Sequence, residues 1–361
     1  MKATLHSDAF KGYAGQFVWL EINVDDPANA AFLAKSVEAY PILEVIDPAT
    51  EQATRVWAGT ASPAQLAAFL DGKPDEAVAR GDALLARGDG SGAAGAYEQA
   101  LAHDQGQGPA REHVLEQLAV ALQIGDPAAC VARLARLAPA MARQAPFVQV
   151  VIAGAACAAQ TPQLAGSSEM ATLEGLAREA LTLPSTLASE DDHYQLYEDL
   201  YLMRTGAKDA AGATALAQAY LSYVQQQPAP RNDDERMARD LALLRASTKA
   251  GVADKAIPQL EASEQALATD PDASLRLATA YAAAGRADDA IAATTRGLAR
   301  APKPTQTARL LMLRARLEAK RGDGESAKHD LEAARAAAQR INQPQSRDAT
   351  IAQLEQLRSA L

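Results

Sequence analysis

The stretch "PDASLRLATAYAAAGRADDAIAATTRGLARAP" (residues 271–302) decides the fold. It reads as two helices broken at Gly285 and closed by Pro302. Small residues at Ala278 and Ala290 let the two helices approach, and Tyr281 and Leu298 fill the space between them. Such a hairpin has an apolar face that it cannot bury alone.

The pattern recurs outward from that stretch. A glycine ends a first helix and a small residue follows five positions later at Gly88 and Ala93, Gly125 and Cys130, Gly206 and Ala211, Gly251 and Ala256, and Gly322 and Ala327. A second good match covers 74–105, with Gly81, Leu84, Gly88, Ala93, Tyr97 and Ala100. A helical hairpin repeated at about 34 residues resembles the tetratricopeptide repeat. Residues 145–185 fit the repeat poorly. They still read as two helices, "FVQVVIAGAACAAQ" and "SSEMATLEGLAREALTL", joined by a Thr-Pro turn.

Before Gly72 the texture changes. "FVWLEINVD" (Phe17–Asp25) is a strand candidate, and "DPANAAFLAKSVE" follows as a helix opened by Asp26 and Pro27. "YPILEVIDPAT" (Tyr40–Thr50) is a short buried strand closed by an Asp-Pro turn. "QATRVWAG" (Gln52–Gly59) is its hairpin partner, and "SPAQLAAFLDG" (Ser62–Gly72) is a helix. That order resembles the thioredoxin family, in which the strand beginning at Tyr40–Pro41 would open with a cis-proline facing the active site. The resemblance implies that "MKATLHSDAF" (1–10) is the end of a first helix. The central strand and the C-x-x-C pair would then lie upstream, and a thiolate at a helix start is what that chemistry requires.

The expected fold class is therefore mostly α: a small, incomplete α/β thioredoxin-like remnant (1–72), then an α-solenoid of tetratricopeptide-like hairpins (73–361). An incomplete sheet would leave unpaired strand edges open to self-association. Without its redox cysteines the chain should not exchange disulfides, although the thioredoxin resemblance implies that role for a longer form. The alternative is a non-catalytic interaction scaffold with a structural cap. Cys130 and Cys157 sit in apolar helical runs and read first as small buried hydrophobes. A disulfide between adjacent helices and a reactive thiol are the other readings.

Of the 361 residues, 48% are hydrophobic but only 4% aromatic, and the net charge is −10. That composition suits closely packed helices and disfavours nucleic acid as a partner. No apolar run reaches the roughly 20 residues of a membrane span. No apolar stretch follows Lys2 to make a leader, so the chain as it stands reads as cytoplasmic, and as periplasmic if a signal peptide lies upstream of Met1. The five histidines show no metal spacing, and "RGDGSGAAG" (87–95) lacks the strand and the Lys-Ser/Thr of a phosphate loop. No metal or cofactor is expected. Tyr194, Tyr197, Tyr201, Tyr220 and Tyr223 cluster, as hairpin packing or as an aromatic contact surface.

The resemblance to tetratricopeptide arrays implies a groove lined by each hairpin's first helix. On this chain it would carry Asp75, Asp82 and Glu112 early, and Arg204, Arg245, Lys249, Arg309, Arg316 and Lys320 later. Arginine forks in such a groove suit a carboxylate-rich protein or peptide partner.

Overall fold

The computed structural model describes residues 8–22, 27–29, 42–58, 63–71, 76–103, 109–300 and 302–360. The chain forms two compact units, one of residues 1–22 and 35–213, the other of 23–34 and 214–361.

In the first unit β1 (Ile42–Asp47) and β2 (Gln52–Ala58) pair antiparallel, with Leu43 opposite Trp57 and an irregularity between Val45 and Ile46. The Asp47 carboxylate accepts the Ala49 N–H at 2.9 Å, and Glu51 takes the left-handed conformation at φ 55°. The hairpin expected from the sequence is thus present. So is the helix behind it, α1 (Pro63–Asp71). Arg55 of β2 donates to the carbonyls of Phe69 and Leu70, which the end of α1 leaves without helical partners. Trp57 packs edge-on against Phe69 and stacks on the His113 ring, centroids 4.3 Å apart. Phe10 and Tyr13, from a 3-10 turn at Asp8–Tyr13, close the same cluster.

The strand expected at 17–25 is not formed over its described part. Residues 18–22 belong to no ladder, and Val18, Trp19 and Leu20 are exposed at 87%, 43% and 75%. Strand-forming side chains give only propensity; a strand also needs a neighbour for its N–H and C=O groups, and none of the described strands pairs with this segment. Of the helix expected at 26–38, Pro27–Asn29 is described and is a 3-10 turn. Tyr40 and Pro41 lie outside the described residues.

Helices α2 (Glu76–Leu85), α3 (Gly90–His103), α4 (Pro109–Gly125), α5 (Pro127–Leu137), α6 (Ala145–Gln160), α7 (Ser168–Ala180) and α8 (Glu190–Gly206) complete this unit. α6 is its axis. It buries Phe147, Val150, Val151, Ala155 and Cys157 and packs on α4, α5, α7 and α8. β2 is fastened to the helices by Asp82 of α2, whose carboxylate accepts the Val56 N–H at 3.2 Å and the Tyr97 hydroxyl at 2.7 Å.

The second unit holds most of α9 (Ala210–Gln226), then α10 (Asp233–Lys249), α11 (Ile257–Ala266), α12 (Pro271–Ala283), α13 (Ala287–Ala299), α14 (Pro304–Lys320), α15 (Gly324–Ala338) and α16 (Pro344–Ala360). The first helices of successive hairpins, α10, α12 and α14, lie side by side. Buried Ala308, Ala315, Ala327, Ala334 and Ala338 let α14 and α15 approach closely, with Leu331 filling between them.

The hairpin turns share one geometry. At Gly88, Gly251, Gly285 and Gly322 the backbone is left-handed. The next N–H reaches back to the carbonyl of Leu84, Ser247, Tyr281 and Glu318 respectively, satisfying a helix-end carbonyl. The same bond joins the Asp209 N–H to the Arg204 carbonyl, with Lys208 at φ 59° in the glycine slot. The repeat register there runs from Lys208, not Gly206. Ala213, five residues on, is the buried small residue.

Candidate functional site

The hairpin glycines give a common ruler for the first helices of the second unit. Six residues before Gly251, Gly285 and Gly322 stand Arg245, Thr279 and Arg316; two residues before them stand Lys249, Ala283 and Lys320. One turn or more toward each helix start are Leu241, Leu275 and Met312, and then Ala238, Asp272 and Arg309. Within α10 the spacing of Leu241, Arg245 and Lys249 puts them on one face, as does that of Arg309, Met312, Arg316 and Lys320 within α14.

On this face Arg245, Arg316 and Lys320 are exposed. Among the described residues none of the three makes an ion pair or hydrogen bond. Leu241 is one of the few large apolar side chains left exposed, at 36%. Arg309 lies 4.0 Å from Asp272 of the neighbouring α12, so one carboxylate already sits against this basic set. α12 contributes the small Thr279 and Ala283 between the two basic helices. The face can offer guanidinium forks and an ammonium to carboxylates, with an aliphatic foothold at Leu241.

The other arginines of these hairpins do different work. Arg296 and Ser274 both donate to Glu264, which is 7% exposed. Burial works to raise this carboxyl; the bonds from Arg296 and Ser274 outweigh it and hold the group below its ordinary range. Arg314 chelates Asp330 at 2.6 and 2.7 Å.

The remaining expected groove residues belong to the first unit. Arg204 is in the first unit, bonded to Glu174 and to Asp209, the latter at 2.9 Å. The Glu174 bond chiefly raises its already high pKa. The misplaced register explains the difference: counted from Lys208, the position equivalent to Arg245 is Leu202, which is 46% exposed. Asp82 is 1% exposed. Burial pushes its carboxyl up to about 6 against the bonds from Tyr97 and Val56; it is a buried tie rather than a groove acid. Glu112 is half-buried, and Asp75 lies outside the described residues. The five tyrosines divide between the units, with Tyr194 and Tyr220 buried.

Cys130 and Cys157 are joined in a disulfide, Cα atoms 6.1 Å apart. The first reading, two free buried thiols, is corrected. α5 and α6 pack together, which brings the two side chains within bridging distance. Among the described residues no group of three or more His, Cys, Asp and Glu could hold a metal ion, and no helix is long and apolar enough to cross a membrane.

Residues 248–317 match the tetratricopeptide repeat family. The match spans α11, α12 and α13 and most of α14, and so covers Arg309 and Arg316 of the basic face. No curated protein matches the chain. Among solved structures, it is similar to a tetratricopeptide repeat protein from Parabacteroides merdae, at 12% identity over 76% of this chain and 98% of that one, with a TM-score of 0.47. It is also similar to the TPR2AB domain of yeast Sti1 in complex with pHSP90, at 15% identity over 78% of this chain and 96% of that one, with a TM-score of 0.30. The fold is mostly α, a succession of tetratricopeptide-like hairpins with, among the described residues, one small two-stranded sheet. No comparison points to a thioredoxin-like element.

Proposed function

We propose that the chain is a non-catalytic scaffold whose second unit captures an acidic segment of a partner protein. The observation that carries this reading is the pair Arg245 and Arg316. They stand at the same position of two first helices, exposed and without ion partners, in a protein of net charge −10. Arginines used for stability are paired in this unit, as Arg296 and Arg314 are. Arg245 and Arg316, at the repeat's sixth position before the glycine, are not. A redox role has no support here, since both cysteines are committed to one buried bond.

The test is fluorescence anisotropy with a labelled, Glu/Asp-rich peptide and its Gln/Asn counterpart, at low and high salt. The acidic peptide should bind more tightly, and salt should weaken it, since exposed charges are screened within about 10 Å at 0.1 M. The double charge reversal Arg245→Glu and Arg316→Glu should cost at least tenfold in affinity. Equal binding of both peptides, or an unchanged Kd in the double variant, would overturn the reading.

A further inference from the structure

Cys130 and Cys157 are the only cysteines of the chain. They are bonded to each other, and each is 0% exposed. We propose that this pair is the acceptor site for a disulfide-donating thiol oxidant, and that the chain folds in an oxidising compartment.

The argument starts from access. Thiol–disulfide exchange needs a thiolate to attack a disulfide sulfur through a mixed disulfide. In the folded unit no donor reaches either sulfur. Cys130 is flanked in α5 by buried Val131 and Leu134, and Cys157 in α6 by buried Ala153, Ala155 and Ala158. The bond therefore forms before α5 closes on α6. One cysteine thiolate attacks the donor's disulfide, making a mixed disulfide and freeing one donor thiolate. The second cysteine thiolate then attacks the chain's own sulfur in that mixed disulfide and releases the other donor thiolate. The cysteine pair loses two electrons and two protons, and the donor leaves as a dithiol.

Two further features fit a structural pair. With two cysteines only one intrachain pairing exists, so no reshuffling is needed. Both sulfurs lie in apolar helical runs and are fully buried, so the site is not open to react repeatedly. Bonds of this kind form and persist outside reducing cytosols. The same burial that excludes the donor afterwards excludes reductants, so the bond outlasts folding.

The experiment is thiol trapping on the full chain in its native cells. Cells are quenched in acid, the protein is denatured, and free thiols are tagged with a maleimide-polyethylene glycol. No gel shift should appear, and a two-tag shift should follow prior reduction with dithiothreitol. A two-tag shift without reduction would overturn the proposal. A second arm compares oxidation by glutathione disulfide of the reduced, urea-unfolded chain with that of the reduced chain already refolded. The unfolded chain should form the bond at least tenfold faster. Equal rates would refute the order of events.

Discussion

Removing the bond between α5 and α6 should weaken the first unit measurably. The bond closes a loop with a sequence separation of 27 residues. In the chain-entropy treatment a loop of that size restricts the unfolded chain by roughly 12 cal/mol/K, or about 3.5 kcal/mol at 25 °C. The paired substitution Cys130→Ala and Cys157→Ala also removes two buried sulfurs, which adds a small cavity cost. For a unit of this size each kcal/mol moves the midpoint by roughly 2–4 °C, so the Tm should fall by roughly 7–14 °C. The assay is built into the sequence. The chain has two tryptophans, Trp19 and Trp57, both in the first unit. Trp57 is 1% exposed. Urea unfolding followed at tryptophan emission therefore reports that unit alone. Reduction under denaturing conditions followed by refolding with blocked thiols gives an independent second measurement. A loss under ~1 kcal/mol in both experiments would refute the account of the bond as a structural constraint.

Other outcomes follow from single residues. Asp82 binds its proton more tightly folded than unfolded, moving from 3.8 to about 6. Its contribution is fully present below the lower value and is lost as pH rises toward the upper one. Asp82→Asn should flatten that part of the tryptophan-detected stability profile, and an unchanged slope would count against the buried tie. His113 works the other way. Burial lowers it from 6.5 to about 4, so its contribution is lost as pH falls through that window, and His113→Phe should steepen the decline that Asp82 causes. Gly125→Ala should destabilise by ~2 kcal/mol despite the better helix propensity: the added methyl would meet the Ser91 backbone nitrogen at 2.6 Å, and a neutral result by thermal melting would show that the two backbones separate freely. Lys208→Gly should stabilise by ~0.5–1 kcal/mol, because the left-handed slot favours glycine; a lower Tm would disprove the shared turn geometry.

Much of the helical part was legible because a repeat states its rule many times. Gly251, Gly285 and Gly322 each mark a left-handed turn, and the buried alanines five residues later fix the register. The same rule misled at Gly206, where Lys208 takes the turn conformation, and the two-residue slip turned Arg204 from a residue paired with Glu174 and Asp209 into an apparent groove arginine. Helices α6 and α7 were legible as helices without a repeat match, since period and capping act locally. The disulfide was not: pairing depends on which helices pack, and sequence places the two cysteines in different helices without saying that these touch. The segment 18–22 was misread for the related reason that a strand is a property of two segments. The β1–β2 hairpin was readable because its partner lies a few residues away.

Glu264 has a mechanical consequence. Its carboxylate, near the end of α11, takes bonds from Ser274 in α12 and Arg296 in α13. Arg300, just past α13, donates to the backbone carbonyls of Leu267 and Asp270 in the preceding loop. The α12–α13 hairpin is thus stitched to the one before it by charge as well as by packing. In a linear array, stability divides into what each repeat holds alone and what it shares with its neighbour. Shifting weight to the shared part makes the boundary between folded and unfolded repeats costly. Under load or heat these hairpins should give way together, as a zip that jams rather than one that runs tooth by tooth.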